Sequence, residues 1–150
     1  MKIKLMDCVK DGPTFITGHV NPDGDALGSA FALKIYLDSQ NISSDVNFDI
    51  TTKLPSNLDH LPFHLISNNT KKNYTTAFVF DCGNSSRLGK YEEVVLAADN
   101  IIVIDHHVNP SFGDIQIIDP SAASTTQVLF RQFKDEDIEI NDEMSNCLLT

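Results

Sequence analysis

Short apolar runs alternate with stretches of helical spacing along this chain, and the alternation predicts most of its elements. "TFITG" (14–18) is short and apolar and predicts a buried strand. Residues 26–40 place Leu27, Ala30, Phe31 and Ile35 at helical spacing, and Asn41 ends the run. "DVNFDI" (45–50) alternates in polarity and predicts a second strand. Residues 51–73 hold two prolines and many Asn and Thr, which predicts an irregular region with "FHLIS" (63–67) as a short strand. "YTTAFVFD" (74–81) and "NIIVIDHH" (100–107) are strongly apolar strands, with "DIQIID" (114–119) as one more. Residues 85–99 predict a loop and then a helix, 121–133 a helix capped by a Ser, and 142–150 the start of another. The acidic run "KDEDIEIND" (134–142) predicts a solvated loop or helix start. Strands separated by helices give an α/β fold, a doubly wound and mostly parallel sheet with helices on both faces.

Composition narrows the function classes. The 150 residues are 41% hydrophobic, enough for one domain with a core. No apolar run approaches the ~18–20 residues of a membrane span. The N-terminus lacks the apolar core of a secretory signal, so a cytoplasmic protein without a membrane partner is expected. Cys8, Cys82 and Cys147 lie far apart with no CxxC pair, which predicts buried, reduced thiols. A net charge of −10 excludes a general nucleic-acid coater, which needs Lys and Arg to displace counterions. An acidic protein can still act on phosphates if divalent metals neutralise its carboxylates. No P-loop and no nucleophile elbow is present, so kinase and serine-hydrolase readings have no support.

Three apolar strands deliver acidic or imidazole groups at their carboxyl ends. They are 14–18 with His19, Asp23 and Asp25; 76–80 with Asp81; and 101–104 with Asp105, His106 and His107. Ligands of open α/β sheets bind outside those ends, so the three clusters should converge. Converging carboxylates raise one another's pKa unless a cation joins them. A pair of divalent ions would resolve the repulsion, with Mn²⁺ or Mg²⁺ suited to this donor set and Fe²⁺, Co²⁺ or Zn²⁺ as other candidates. Such a pair activates water for in-line displacement at phosphorus. In this reading Pro22 stiffens the first loop and Gly24 gives it a sharp turn. Taken alone, Asp25 also reads as the cap of a helix starting at Ala26. Arg87 reads as a phosphate contact or as a solvated helix-start residue. Ser124, Thr125 and Thr126 read as phosphate donors or as a cap. His60 and His64 have no carboxylate company and read as structural or exposed.

At these residues the sequence resembles the DHH phosphoesterase superfamily. "GHVNPDGDALGS" (18–29) is similar to its first motif, Asp81 in "VFDCG" to the second, and "DHH" (105–107) to the third. "PSAASTTQVLF" (120–130) is similar to the segment that follows. The wording "NPDGDALGSA" resembles the nanoRNase and phosphoadenosine-phosphate phosphatase branch. The resemblance implies a metal-dependent phosphoesterase acting on short oligoribonucleotides, dinucleotides or phosphoadenosine phosphate, with a manganese-dependent inorganic pyrophosphatase and a non-catalytic metal-binding module as alternatives. It implies two metals, Mn²⁺ foremost and Mg²⁺ or Co²⁺ otherwise. His19, Asp23 and Asp81 would hold one; Asp25, Asp81 and His106 the other. His107 would contact the phosphate or aid transition-state charge, and Asp105 would orient a histidine ligand through its ring nitrogen. The nucleophile would be a hydroxide between the metals. The resemblance also implies a homodimer. A fourth motif and a C-terminal substrate domain are absent from these residues. The expectation is therefore the N-terminal catalytic part of a longer protein, weak or inactive alone.

Overall fold

Five strands organise the computed structural model, which describes residues 2–150: β1 (Thr14–Gly18), β2 (Ser44–Val46), β3 (Thr76–Phe80), β4 (Asn100–Asp105) and β5 (Ile115–Ile118). All pair in parallel, in the order β2-β1-β3-β4-β5. The helices are α1 (Leu5–Cys8), α2 (Gly24–Ser39), α3 (Glu92–Leu96), α4 (Thr125–Asp135) and α5 (Asp142–Leu148). The fold is thus the α/β class read from the sequence, with every strand parallel. The order reverses between β1 and β3, which is the crevice where such sheets bind ligands.

Strands buried on both faces read as continuous apolar runs, and β1, β3 and β4 are buried at every position. Ile16, Phe78, Phe80, Ile102 and Ile104 face a core shared with α1, α2, α4 and α5. Phe15, Ala77, Val79, Ile101 and Val103 face a smaller core with Leu88, Tyr91 and Val95. Each large core side chain contributes about 1.5–3 kcal/mol of burial. Helix α2 is buried at every position from Ala26 to Leu33, because the sheet lies on one side of it and α4 and α5 on the other. Among the described residues no helix is long and apolar enough to cross a membrane.

Several sequence expectations shift. Strand β2 stops at Val46 rather than running to residue 50. The Asn47 side chain there accepts from the Phe48 N–H at 3.0 Å and donates to the Ser67 carbonyl at 3.0 Å, which ends the ladder. The strand expected at 63–67 is a 3₁₀ turn over Phe63–Leu65, and only Ile66 makes a bridge, to Val46. The ring of Phe63 packs edge-on against Phe31 at 5.6 Å, so the apolar residues serve the α2 core rather than a ladder. The region 85–99 breaks into a 3₁₀ stretch, Ser85–Tyr91, and α3. The 3₁₀ stretch itself kinks at Gly89, whose φ of 63° suits glycine. The helix expected at 121–133 begins at Thr125 with Ser124 as its cap, and it carries Lys134 and Asp135 of the acidic run. Helix α1 had no counterpart in the sequence reading; Glu136 accepts its Leu5 N–H at 3.0 and 3.1 Å. The three cysteines are free and buried, as expected.

Candidate metal centre

Strands β1 and β3 end on one rung, and β4 runs one residue further: Gly18 pairs with Phe80, and Phe80 with Ile104. The next residues are His19, Asp81 and Asp105, so a common register delivers three chemical groups to one level. Gly18 permits the close approach. A Cβ there would stand 2.7 Å from the Phe80 carbonyl oxygen and 3.0 Å from the Phe48 ring. Asp81 adopts a left-handed backbone, φ 57°, an uncommon state for a residue with a side chain. It is 6% exposed and sits at the middle of the group.

His19 donates through Nδ1 to the Val20 carbonyl at 2.9 Å, which aims Nε2 at the carboxylates. Nε2 lies 3.4 Å from Asp81 Oδ2 and 3.6 Å from Asp23 Oδ1. On the other side, His106 Nε2 lies 3.7 Å from Asp81 Oδ1 and 3.8 Å from Asp25 Oδ2. These gaps are long for N–H···O bonds. Two atoms that each ligate one ion at ~2.1 Å are ~3.0–3.4 Å apart, so the His19 gaps fit a shared cation with small adjustment. His19, Asp23 and Asp81 form one group that could hold a metal ion, and Asp81, Asp105, His106 and His107 form another. Asp25 stands outside both groups, beside His106.

Electrostatics favours a cation. The carboxylates of Asp23 and then Asp81 push the His19 imidazole up to about 10. The same contact, His19 foremost among the lowering causes, brings Asp23 down to about 2 against its own burial. Burial raises the Asp81 carboxyl; His19 opposes this, while Asp25, Asp23 and Asp105 raise it further by like charge.

The carboxylates are held from outside the centre. Asp23, not Asp25, caps α2: its Oδ1 accepts the Ala26 N–H at 2.9 Å. Helix α2 starts two residues earlier than the sequence suggested, so Gly24 is helical and the left-handed turn falls on Asn21, φ 50°. Asp25 instead accepts the N–H groups of Thr125 at 2.9 Å and Thr126 at 2.8 Å. Those amides were candidate phosphate donors, and the structure commits them to Asp25. Thr125 Oγ1 lies 3.2 Å from Asp81 Oδ1 and 3.3 Å from Asp105 Oδ1. Asp105 pairs with the His107 ring, Oδ1 to Nδ1 at 2.8 Å, rather than with that of His106, and also accepts the His106 N–H at 2.7 Å. The His107 side chain is 63% exposed.

Sequence reasoning passed over Asn21. Its Oδ1 accepts the N–H of Thr51 at 2.7 Å and of Thr52 at 3.1 Å, which ties the His19–Asp23 loop to the β2–β3 connection. An Asn before a Pro between two candidate ligands was the available signal, since Asn tolerates the left-handed turn. Arg87 is exposed beside this loop, with its carbonyl accepting the Val20 N–H at 2.7 Å and its charge felt at Cys82. His60 bonds Asn57 and Thr150 and stands apart from these groups.

A family model described as DHH family, N-terminal domain, matches residues 13–150. An uncharacterised protein of Methanocaldococcus jannaschii is 27% identical over 155 residues, covering 99% of this chain and 31% of that protein. The bifunctional oligoribonuclease and PAP phosphatase NrnA of Thermus thermophilus is 30% identical over 124 residues, 79% of this chain and 36% of that one. The crystal structure of an exopolyphosphatase-related protein from Bacteroides fragilis matches with a TM-score of 0.83 and 26% identity, over 97% of this chain and 46% of that one. This chain spans about a third of the length of the two curated relatives.

Proposed function

This chain belongs to the DHH family, whose members are metal-dependent phosphoesterases, and from that premise we propose that it hydrolyses short oligoribonucleotides, dinucleotides or phosphoadenosine phosphate with two divalent ions, Mn²⁺ foremost. The observation that carries this reading is the division of Asp81. One of its oxygens faces His19 and the other faces His106. His19, Asp23 and Asp81 would hold one ion; Asp25, Asp81 and His106 the other. When bound, the ions generate a nucleophile from water at neutral pH and offset charge on the phosphoryl oxygens.

The chain's own residues supply orientation and a proton. Asp105 accepts from His107 Nδ1, which leaves Nε2 of this exposed side chain without a protein partner among the described residues. In this proposal His107 would contact the phosphoryl group and give a proton to the leaving oxygen, with buried Asp105 orienting its ring. Arg87 at the rim supplies a cation for a substrate phosphate. Asp25 is oriented by two amides of α4, which accounts for how it would be held toward the second ion.

The test is hydrolysis of a diadenylate dinucleotide with Mn²⁺ by this chain, its Asp81→Ala variant and a C-terminally extended chain, with phosphoadenosine phosphate and pyrophosphate in parallel. Cleavage of the dinucleotide or of phosphoadenosine phosphate that Asp81→Ala abolishes is expected. Preference for pyrophosphate would overturn the substrate class, and silence on all three with Mn²⁺ bound would overturn catalysis.

A further inference from the structure

We infer that Thr125 is a positioning residue that keeps the Asp81 carboxylate divided between the two halves of the centre, an inference that rests on the metal reading above. Thr125 is fully buried and opens α4. Its hydroxyl carries one proton and stands between two carboxylate oxygens, 3.2 Å from Asp81 Oδ1 and 3.3 Å from Asp105 Oδ1. The two acceptors are unequally supplied. Asp105 Oδ1 already accepts from His106 N at 2.7 Å, His107 Nδ1 at 2.8 Å and His107 N at 3.3 Å. Around Asp81 Oδ1 the other nitrogens, His106 Nε2 and His107 Nδ1, stand at 3.7 and 3.8 Å, beyond hydrogen-bond range. The Thr125 proton therefore goes to Asp81 Oδ1.

That bond fixes what the torsion alone would not. The terminal torsion of an aspartate is broad, so an unheld carboxylate turns readily. With Oδ1 held by Thr125, Oδ2 remains 3.4 Å from His19 Nε2 and Oδ1 remains on the His106 side. The same residue's N–H fixes Asp25. The first turn of α4 thus sets two of the carboxylates of the centre through one hydroxyl and two amides, without itself touching substrate or metal.

The experiment is Mn²⁺ binding to the metal-free chain, read by electron paramagnetic resonance and calorimetry, for the wild type, Thr125→Val and Thr125→Ser. Val matches Thr in shape and removes the hydroxyl; Ser keeps the hydroxyl and removes the methyl. Thr125→Val is expected to weaken Mn²⁺ about 10-fold or more, and Thr125→Ser to stay within about threefold. Far-UV circular dichroism checks folding; should Thr125→Val not fold, Thr125→Ala against Thr125→Ser carries the same comparison. Wild-type affinity in Thr125→Val, or equal losses in Val and Ser, would overturn the inference. A wild type that binds no Mn²⁺ would overturn the metal reading and the inference with it, before any variant is compared.

Discussion

Two of the three groups facing one another around His19 come from a five-residue stretch, 19–23, with Asp81 as the third. Around His106 the groups come from α2, β3 and β4, and a fourth element, α4, holds two of the carboxylates in place. The first half is local and carries a proton: His19 is pushed up to about 10. The second half is non-local, and backbone amides already neutralise part of its charge. The contrast teaches that one centre can be prepared for a cation in two ways, by an imidazole that must give up its proton or by a helix start that holds a carboxylate in advance.

The largest effect should come from the residue both halves share. Asp81→Ala is expected to lower dinucleotide hydrolysis by about 10³-fold or more and to weaken Mn²⁺ at both halves, seen by turnover and by metal titration. His107→Gln should separate chemistry from metal binding. We expect turnover to fall about 10²-fold or more with Mn²⁺ affinity nearly unchanged, because the Nδ1 of His107 is engaged by Asp105. A matching loss of affinity would place His107 among the ligands instead.

The pH dependence isolates the local half. The folded His19 value of about 10 lies above its ordinary 6.5. Its stabilising contribution is therefore complete below about 6.5 and is lost as pH rises through about 10. The melting temperature of the metal-free chain should decline between those values, and His19→Gln should flatten the decline. Mn²⁺ affinity should move the opposite way and rise with pH as the proton is displaced. A metal-free melting temperature that does not change across this range would break the comparison. The smallest effect is expected from Asn21→Ala. Losing an exposed acceptor of two amides should cost about 1 kcal/mol in denaturant unfolding, and Mn²⁺ should weaken at the His19 half alone.

The same contrast marks what the sequence could disclose. His19, Asp81 and Asp105 were legible because each directly follows an apolar run, and the parallel register then places them on one rung. A mostly parallel sheet was legible from the alternation of apolar runs with helical spacing, and the structure adds that every strand is parallel. The cap fell to Asp23 rather than Asp25 because α2 begins at Gly24, where glycine gives no helix signal, and a shift of two residues in helix start decides which carboxylate caps. The 63–67 stretch looked like a strand because apolar residues that pack on α2 and residues that pair in a sheet can share a pattern. The anchoring of Asp25 by Thr125 and Thr126 spans 100 and 101 residues and leaves no local trace.

That span bears on how the protein is made. The amides that hold Asp25 belong to α4, which follows the last strand, and α5 then packs against α2. A chain emerging from the ribosome therefore displays the His19 loop long before the helix that completes the arrangement exists. Until residue 126 has been synthesised and α4 has docked, the acidic groups remain parts of an unfinished polymer, and the Asp25 side of the arrangement cannot assemble before that point.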